Sequence, residues 1–497
     1  GRANYKYDNR YLLQFVVRAD ASTKFAPENY WGTFPTASAG WVISEENFFK
    51  NSKMSALFDF LKLRYSLGKT GKDNVTAWSW LQLYQISPTG GLGFGSIGGQ
   101  PTSGANISGT ANRNIKWDSS IKHNIGLDLN ILSSRLAITT DYYYDKTKDL
   151  IMLIADDEEP IYIGAKLPPI NYGEKDAWGW EFSLRWNDKI HQSLLPSWGP
   201  IRYSVGVDYS ISWNKTVLGQ QATFDYPAEV NEKSSWTGYR GPDYQWGFKT
   251  WKQTSQGDGM LRTQEDIDKY WQYLTDLATA AGTTPSYLGV TSKEKMYPGM
   301  LAYEDIAGDI DTENQTIAGP NGVISRDHGE DYAKLASNRR HGINTRLRAE
   351  WGNFSWSAMV STAWGGYYAL DNDIRQAINN NTLIWSQFSY VNDMFDPEEN
   401  PNGKYPSMAV ASAFGERSDF WMVPSFRMYV RNMVFGYDLP KELLQKAKIE
   451  RLQLNLTGNN LWDFYNPYPD KYRNMYDGGR TDYPTLRTWT LGVNLTF

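Results

Sequence analysis

Apolar residues recur at every second position in segment after segment, and the connections between those segments are alternately short and long. Side chains of an extended chain point to opposite faces in turn, so this spacing marks a strand with one apolar face. Leu13, Phe15 and Val17 follow it in YLLQFVVRAD, and Leu61, Leu63, Tyr65 and Leu67 do so in LKLRYSLG. Residues 121 to 131 place Ile121, His123, Ile125, Leu127, Leu129 and Ile131 on one face. After a turn at SSR, Leu136, Ile138, Thr140, Tyr142 and Tyr144 continue in the same manner. WGWEFSLRW, RYSVGVDYSISW, GINTRLRAEW, FSWSAMVSTAW, FRMYVRNMVFGY, RLQLNLTG and TWTLGVNLTF complete the series. The last keeps Trp489, Leu491, Val493, Leu495 and Phe497 on one side up to the final residue.

Tight turns are expected at Asp8 to Arg10, Ser133 to Arg135 and Gly352 to Asn353, and long connections at 68–119, 146–176, 215–340 and 366–424. Transmembrane barrels have this asymmetry, with short periplasmic turns and long extracellular loops. If long and short connections always fall on opposite sides, AWSWLQLYQI (77–86) must belong to an outer loop. That leaves twelve strands plus a partial one at residues 2 to 7. The expected fold is therefore all-β, a transmembrane antiparallel β-barrel portion of about 12 or 13 strands. Residues 44–60 and 438–450 read as short helical or irregular periplasmic segments, the second with Pro440 near a helix start. Inside the longest loop, Thr263 is a candidate N-cap. Ile267, Tyr270, Leu274 and Leu277 follow at helical spacing, and Gly282 is a stop.

Composition agrees with many half-buried strands separated by polar loops. The 497 residues include 33 Tyr and 21 Trp, yet apolar residues are only 41% and the mean hydropathy is −0.56. No apolar run of about 18 residues exists, which excludes a spanning helix and leaves a spanning barrel open. Fifty Lys and Arg against 55 Asp and Glu, with no basic tract, argue against nucleic acid as a partner. With no cysteine, disulfides, thiolate nucleophiles and Cys-based metal sites are excluded. The opening GRANYKYDNRYLL enters strand-like sequence at once, without a signal peptide, and reads as part of a longer chain.

Few motifs suggest chemistry. GFGSIG at 93–98 fits G-x-G-x-x-G, but loop sequence follows where a helix is needed. His123, His191, His328 and His341 are scattered, with no pair at metal-ligand spacing. No catalytic residue, cofactor or metal ligand is assigned, and an enzyme is not expected. Aromatics at strand ends, including Tyr144, Trp213, Trp364, Tyr437 and Trp489, suit interfacial girdles. Those in long loops, Trp236, Tyr239, Tyr244, Trp246 and Trp251, then Trp385, Phe388 and Tyr390, have rings to stack on sugars or grip peptide side chains. Packing of the loops against one another is the plainer account of any single ring. The candidate substrate-binding set is Trp236, Tyr239, Tyr244, Trp246 and Trp385.

FAPENYWGTFPTASAGWVISEENFF, LKLRYSLGKTG, IKHNIGLDLNIL, LAITTDYYYDKTKDLI, SDFWMVPSFRMYVRNMVFGYDLPKELL, LNLTGNNLWDF and YPTLRTWTLGVNLTF closely resemble, in order, the C-terminal half of SusC/RagA-type TonB-dependent outer-membrane transporters of Bacteroidetes. The resemblance implies a 22-stranded plugged barrel, a SusD-like surface lipoprotein closing over the loops, and energy coupling through TonB–ExbB–ExbD. The signal peptide, TonB box, plug and first strands are not recognisable in these residues. It also implies membrane lipid and the barrel assembly machinery as partners, with Trp489, Leu495 and Phe497 as the assembly signal. Pro298, Gly299, Asp305, Asn321, Gly322, Ile324 and Asp327 keep the style of an acidic family segment, read here as a solvated loop. The function expected is active outer-membrane import of oligosaccharides or peptides. A passive porin-like channel and an all-β surface glycan-binding protein are the alternatives.

Overall fold

A computed structural model describes residues 1–89, 102–153, 168–191, 198–219, 244–337, 339–369, 392–407, 416–445, 448–465 and 486–497, with Pro227 and Val230. The chain divides into two units. One comprises Gly1–Leu184, Ser210–Phe224 and Ser234–Gly241, and the other Arg185–Tyr209, Asp225–Lys233 and Pro242–Phe497.

The first unit holds β1 (Arg2–Tyr7), β2 (Tyr11–Ala21), β3 (Trp31–Val42), β4 (Phe58–Thr70), β5 (Ser119–Ile131) and β6 (Leu136–Met152). Most of β7 (Ile170–Ile190) and the end of β8 (Ile201–Leu218) also belong to it. Antiparallel registers join each neighbour from β1 to β6. Leu83–Ser87 pairs instead with Gly104–Gly109 in a separate two-stranded sheet, so the 77–86 segment is outside the wall as expected. The β1–β2 turn is tight because Asp8 and Asn9 adopt positive φ, a conformation their short polar side chains tolerate. The 44–60 connection is a string of short helical turns, Ile43–Glu45, Asn47–Lys50 and Lys53–Ala56.

The second unit carries β9 (His341–Trp351), β10 (Phe354–Trp364), β11 (Arg427–Asp438), β12 (Arg451–Asn459) and β13 (Thr488–Thr496). Its registers run antiparallel from the first part of β8 through to β13. Gly352 makes the β9–β10 turn at φ 55°, and a Cβ there would stand 2.6 Å from the Trp198 ring. After Pro440, Lys441–Leu444 forms the short helix expected between β11 and β12.

One face of this wall is apolar and exposed. On β2 to β5 it presents Leu13, Phe15, Leu63, Tyr65, Leu67, Ile121 and Ile125; on β11 to β13 it presents Phe435, Leu454, Leu456, Leu491, Val493 and Leu495. Phe15 is 55% exposed and Leu491 74%. In water such a surface would be very costly, at about 25 cal/mol per Å². Facing hydrocarbon, it costs nothing. Strands β6, β7 and β8 have 17, 21 and 18 residues, against the roughly 9 to 11 needed to cross a bilayer. Their polar ends therefore continue beyond the membrane, further than the hydrophobic alternation indicated.

Aromatic clusters mark both ends of the second unit's wall. Near the β9–β10 turn, Trp198 packs on Trp351 at 4.9 Å and on Phe354 at 5.6 Å, and Phe354 on Tyr437 at 4.6 Å. At the opposite end His341 stacks on Trp364 at 5.8 Å and shares a 2.9 Å hydrogen bond with the Tyr209 hydroxyl. Two belts of this kind are what a barrel places at its interfaces.

The main buried core lies in the long β8–β9 connection and its neighbours, away from the wall. It includes Phe248, Trp251, Leu261, Ile267, Tyr270, Leu274, Tyr287, Tyr303, Ile324 and Trp421. The helix Gln264–Ala281 starts at a capping box in which Thr263 and Asp266 satisfy each other's backbone N–H, and stops at Gly282 with φ 74°. Ile267, Tyr270, Leu274 and Ala278 face inward, so Ala278 takes the place expected of Leu277. This is a folded outer-loop module.

Candidate functional site

Opposite the apolar face, the wall carries charge. Arg64 on β4 reaches Asp128 on β5 through Nε at 2.8 Å and Nη2 at 3.0 Å. Its other edge donates to Asp141 on β6 at 3.1 and 3.0 Å. The reason is register: Arg64 is paired with Gly126, which has no side chain, and Gly126 with Asp141, so the guanidinium lies over the gap. A cavity of about 480 Å³ beside it is bordered by Lys6, Gln14, Ser38, Lys62, Arg64 and Asn124. In the second unit, Arg346 pairs with Asp208 in the same inward manner. Alternation thus produces a polar, salt-bridged lumen face.

The loop module brings two of the five proposed substrate aromatics together. Tyr244–Phe248 pairs antiparallel with Tyr332–Ser337, and Trp246 lies opposite Lys334. Lys334 Nζ sits 4.9 Å from the Tyr244 ring centroid and 5.3 Å from that of Trp246, within cation–π range. Tyr244 is exposed and Trp246 half-buried. Lys334 had no signal in the sequence, where it falls in the long 215–340 connection. Trp236, Tyr239 and Trp385 lie outside the described residues, as do Phe388, Tyr390 and the 93–98 glycine segment. Trp251 follows the plainer reading, packing within the loops. Only 4% exposed, it packs on Tyr270 at 5.3 Å and Tyr273 at 5.7 Å, holding the module together.

The 298–331 segment is also different from the solvated acidic loop expected. Asp331 is fully buried and Asp305 nearly so. Backbone donors replace water: Asp305 Oδ2 accepts from Asn321 N at 3.0 Å and from Gly322 N. Asp331 accepts from Ile306 N at 2.9 Å and Ser325 N at 2.7 Å. Gly322 has φ 79° and its Cα faces Ala278 and the Leu274 carbonyl so closely that no side chain fits. The spacing of the acids along the chain could not reveal these donors, because they arrive from separate turns. Among the described residues no group of His, Asp or Glu is arranged to hold a metal.

At the chain's end, β13 pairs with β12 from Asn459–Thr488 to Arg451–Thr496 and has no second neighbour among the described residues of its unit. Trp489, Leu495 and Phe497 are all exposed on its apolar side.

Comparison with known proteins decides the family. Residues 1–288 match the family described as TonB dependent receptor-like, beta-barrel. The chain belongs to this family. TonB-dependent receptor P3 of Formosa agariphila is 26% identical across the whole chain, which covers 45% of that protein. TonB-dependent receptor SusC of Bacteroides thetaiotaomicron is 32% identical over 47% of the chain and 22% of its own length. The RagAB peptide importer in its closed-closed state superposes on all of this chain and 47% of the matched chain, with a TM-score of 0.66 at 17% identity. The chain spans about half the length of the full-coverage curated relatives it matches. It is a TonB-dependent receptor barrel segment, similar to SusC in sequence and to the RagAB importer in fold, and its exposed apolar belt belongs in the outer membrane.

Proposed function

We propose that this TonB-dependent receptor segment is the wall and outer-loop part of an active, non-enzymatic nutrient importer for oligosaccharides or peptides. The observation that carries the reading is the two-sided wall. An exposed apolar face suits lipid, while Arg64, Asp128 and Asp141 make the opposite face polar. A SusD-like lipoprotein would deliver cargo to the outer loops, where Tyr244 and Trp246 receive it beside Lys334, together with Trp236, Tyr239 and Trp385. A plug and a TonB-contacting segment, supplied by residues outside this chain, would open the path when TonB–ExbB–ExbD transmits energy. The wall stays rigid. In a cell carrying the full-length receptor, uptake of a glycan or peptide library should stop on deletion of TonB. Unchanged uptake there would refute active import and favour a passive channel.

The same reading assigns Trp489, Leu495 and Phe497 to recognition by the barrel assembly machinery. Their exposure on the apolar side of the last strand supports it, since an assembly factor needs accessible side chains.

A further inference from the structure

Two carboxyl groups, Asp305 and Asp331, are buried side by side in the loop module. Their outer oxygens are occupied by backbone N–H groups, which hold the 305–307, 321–322 and 325 turns together. Asp305 Oδ1 is buried and receives no N–H or O–H from any described residue, and the Asp331 carboxyl is held beside it by the N–H of Ile306, the next residue. Two bare carboxylates side by side would repel in a low-dielectric interior; one proton between them turns repulsion into a charge-assisted hydrogen bond. We propose that Asp305 and Asp331 form a proton-locked pair, with the proton on Asp305 Oδ1 directed at the Asp331 carboxylate, and that its loss loosens this part of the outer loop.

The surroundings favour the proton. Tyr270 and Tyr273 approach from the helix, Glu304 adjoins Asp305, and Glu330 adjoins Asp331 with Asp309 and Asp327 near it in turn. Lys249 is engaged by Glu304 at 2.7 Å and Arg326 by Glu416 at 2.6 Å. Burial, opposed by the Gly322 N–H and reinforced by the charge of Asp331, pushes the Asp305 carboxyl up to about 6. Burial also raises Asp331, and takes Glu330 to about 7. The folded loop thus binds the Asp305 proton more tightly than the unfolded chain does. Its stability is full below about pH 4, declines as pH rises through about 6, and then levels. An outer loop built this way firms up when its surroundings turn acidic. The pair itself does not depend on what the receptor imports.

The test is pH-resolved hydrogen–deuterium exchange of residues 300–332 in the full-length receptor in detergent, corrected for intrinsic exchange. A Glu330→Gln background removes the second titration in the window. Protection should fall by about 25-fold between pH 4.5 and 7.5, as set by a folded value of about 6 against about 3.9 in the unfolded chain. Asp305→Asn places an amide N–H where the proton was, so it should stay protected and flat with pH. Asp331→Asn, which turns a donor toward backbone N–H groups, should lose protection at every pH. Flat behaviour without the Asp305 change, an Asp305→Asn variant with an unaltered slope, or protection that follows added calcium and not pH would each overturn the proposal.

Discussion

Gly458 on β12 lies directly across the ladder from Trp489 on β13, and the indole fills the space that a side chain at 458 would occupy. A Cβ at Gly458 would be 2.9 Å from Trp489 Cζ3 and 2.5 Å from Leu461 Cδ2. An aromatic covering a strand glycine replaces the packing that the glycine lacks. Gly458→Val should therefore push the indole off the strand and weaken the β12–β13 contact by about 1–3 kcal/mol. Seminative gel electrophoresis after graded heating reads the loss, as an earlier transition than in the unaltered receptor. An unchanged transition would mean that the indole is only lying on the surface.

Phe435 is on the exposed apolar face of β11, with Leu456 and Leu491 following it across the ladders. Phe435→Arg should cost about 2–4 kcal/mol if the site lies near the bilayer midplane. Asn455→Arg, one residue away and on the lumen side, should be tolerated. Equilibrium unfolding from lipid vesicles compares the two. A greater cost for Asn455→Arg would mean that the faces have been assigned the wrong way round, and equal costs that the two faces do not differ in solvent.

Removing Arg64 leaves Asp128 and Asp141 without their shared cation. Arg64→Met should destabilise the wall by about 1–3 kcal/mol, and adding Asp128→Asn with Asp141→Asn should recover most of it. A triple variant no better than the single one would show that packing of the arginine stem matters more than its charge.

Asp266 behaves oppositely to Asp305. Burial pushes its carboxyl up, but donors from Ser255, Arg262 and Thr263 outweigh that and hold it below the usual carboxylate range. Its contribution is present above the unfolded value of about 3.9 and is lost as pH falls through the lower folded value. Exchange of the Gln264–Ala281 helix should consequently accelerate in strong acid. Thr263→Ala should cost about 1 kcal/mol at neutral pH, visible as faster exchange of the first turn.

Deleting Phe497 from the full-length receptor should reduce its level in the outer membrane more than removing residues from a surface loop. Equal levels, measured by quantitative blotting of membrane fractions, would contradict an assembly role for the terminal aromatic.

Much of the wall was legible because period two and short turns are local properties. Leu13 to Val17 and Leu491 to Leu495 needed no partner to reveal their faces, and Asp8, Asn9 and Gly352 marked turns by backbone tolerance. The module was legible only in its helix, where Thr263 and Gly282 are also local signals. Trp251 and Trp246 stand five residues apart in similar sequence, yet one is core and the other borders a lysine. That difference is set by Tyr270, Tyr273 and Lys334, which arrive from elsewhere. The Asp305–Asp331 pair was hidden for the same reason, and Arg64 became informative only when register placed it over Gly126.

Since the largest buried core is in the β8–β9 connection and not in the wall, the two parts are held together by different solvents. Water drives the module to fold, and this force weakens as temperature drops. The wall is held by a backbone ladder that hydrocarbon gives no alternative partners. Chilling should accordingly loosen the β8–β9 module before the strands of the wall feel any change.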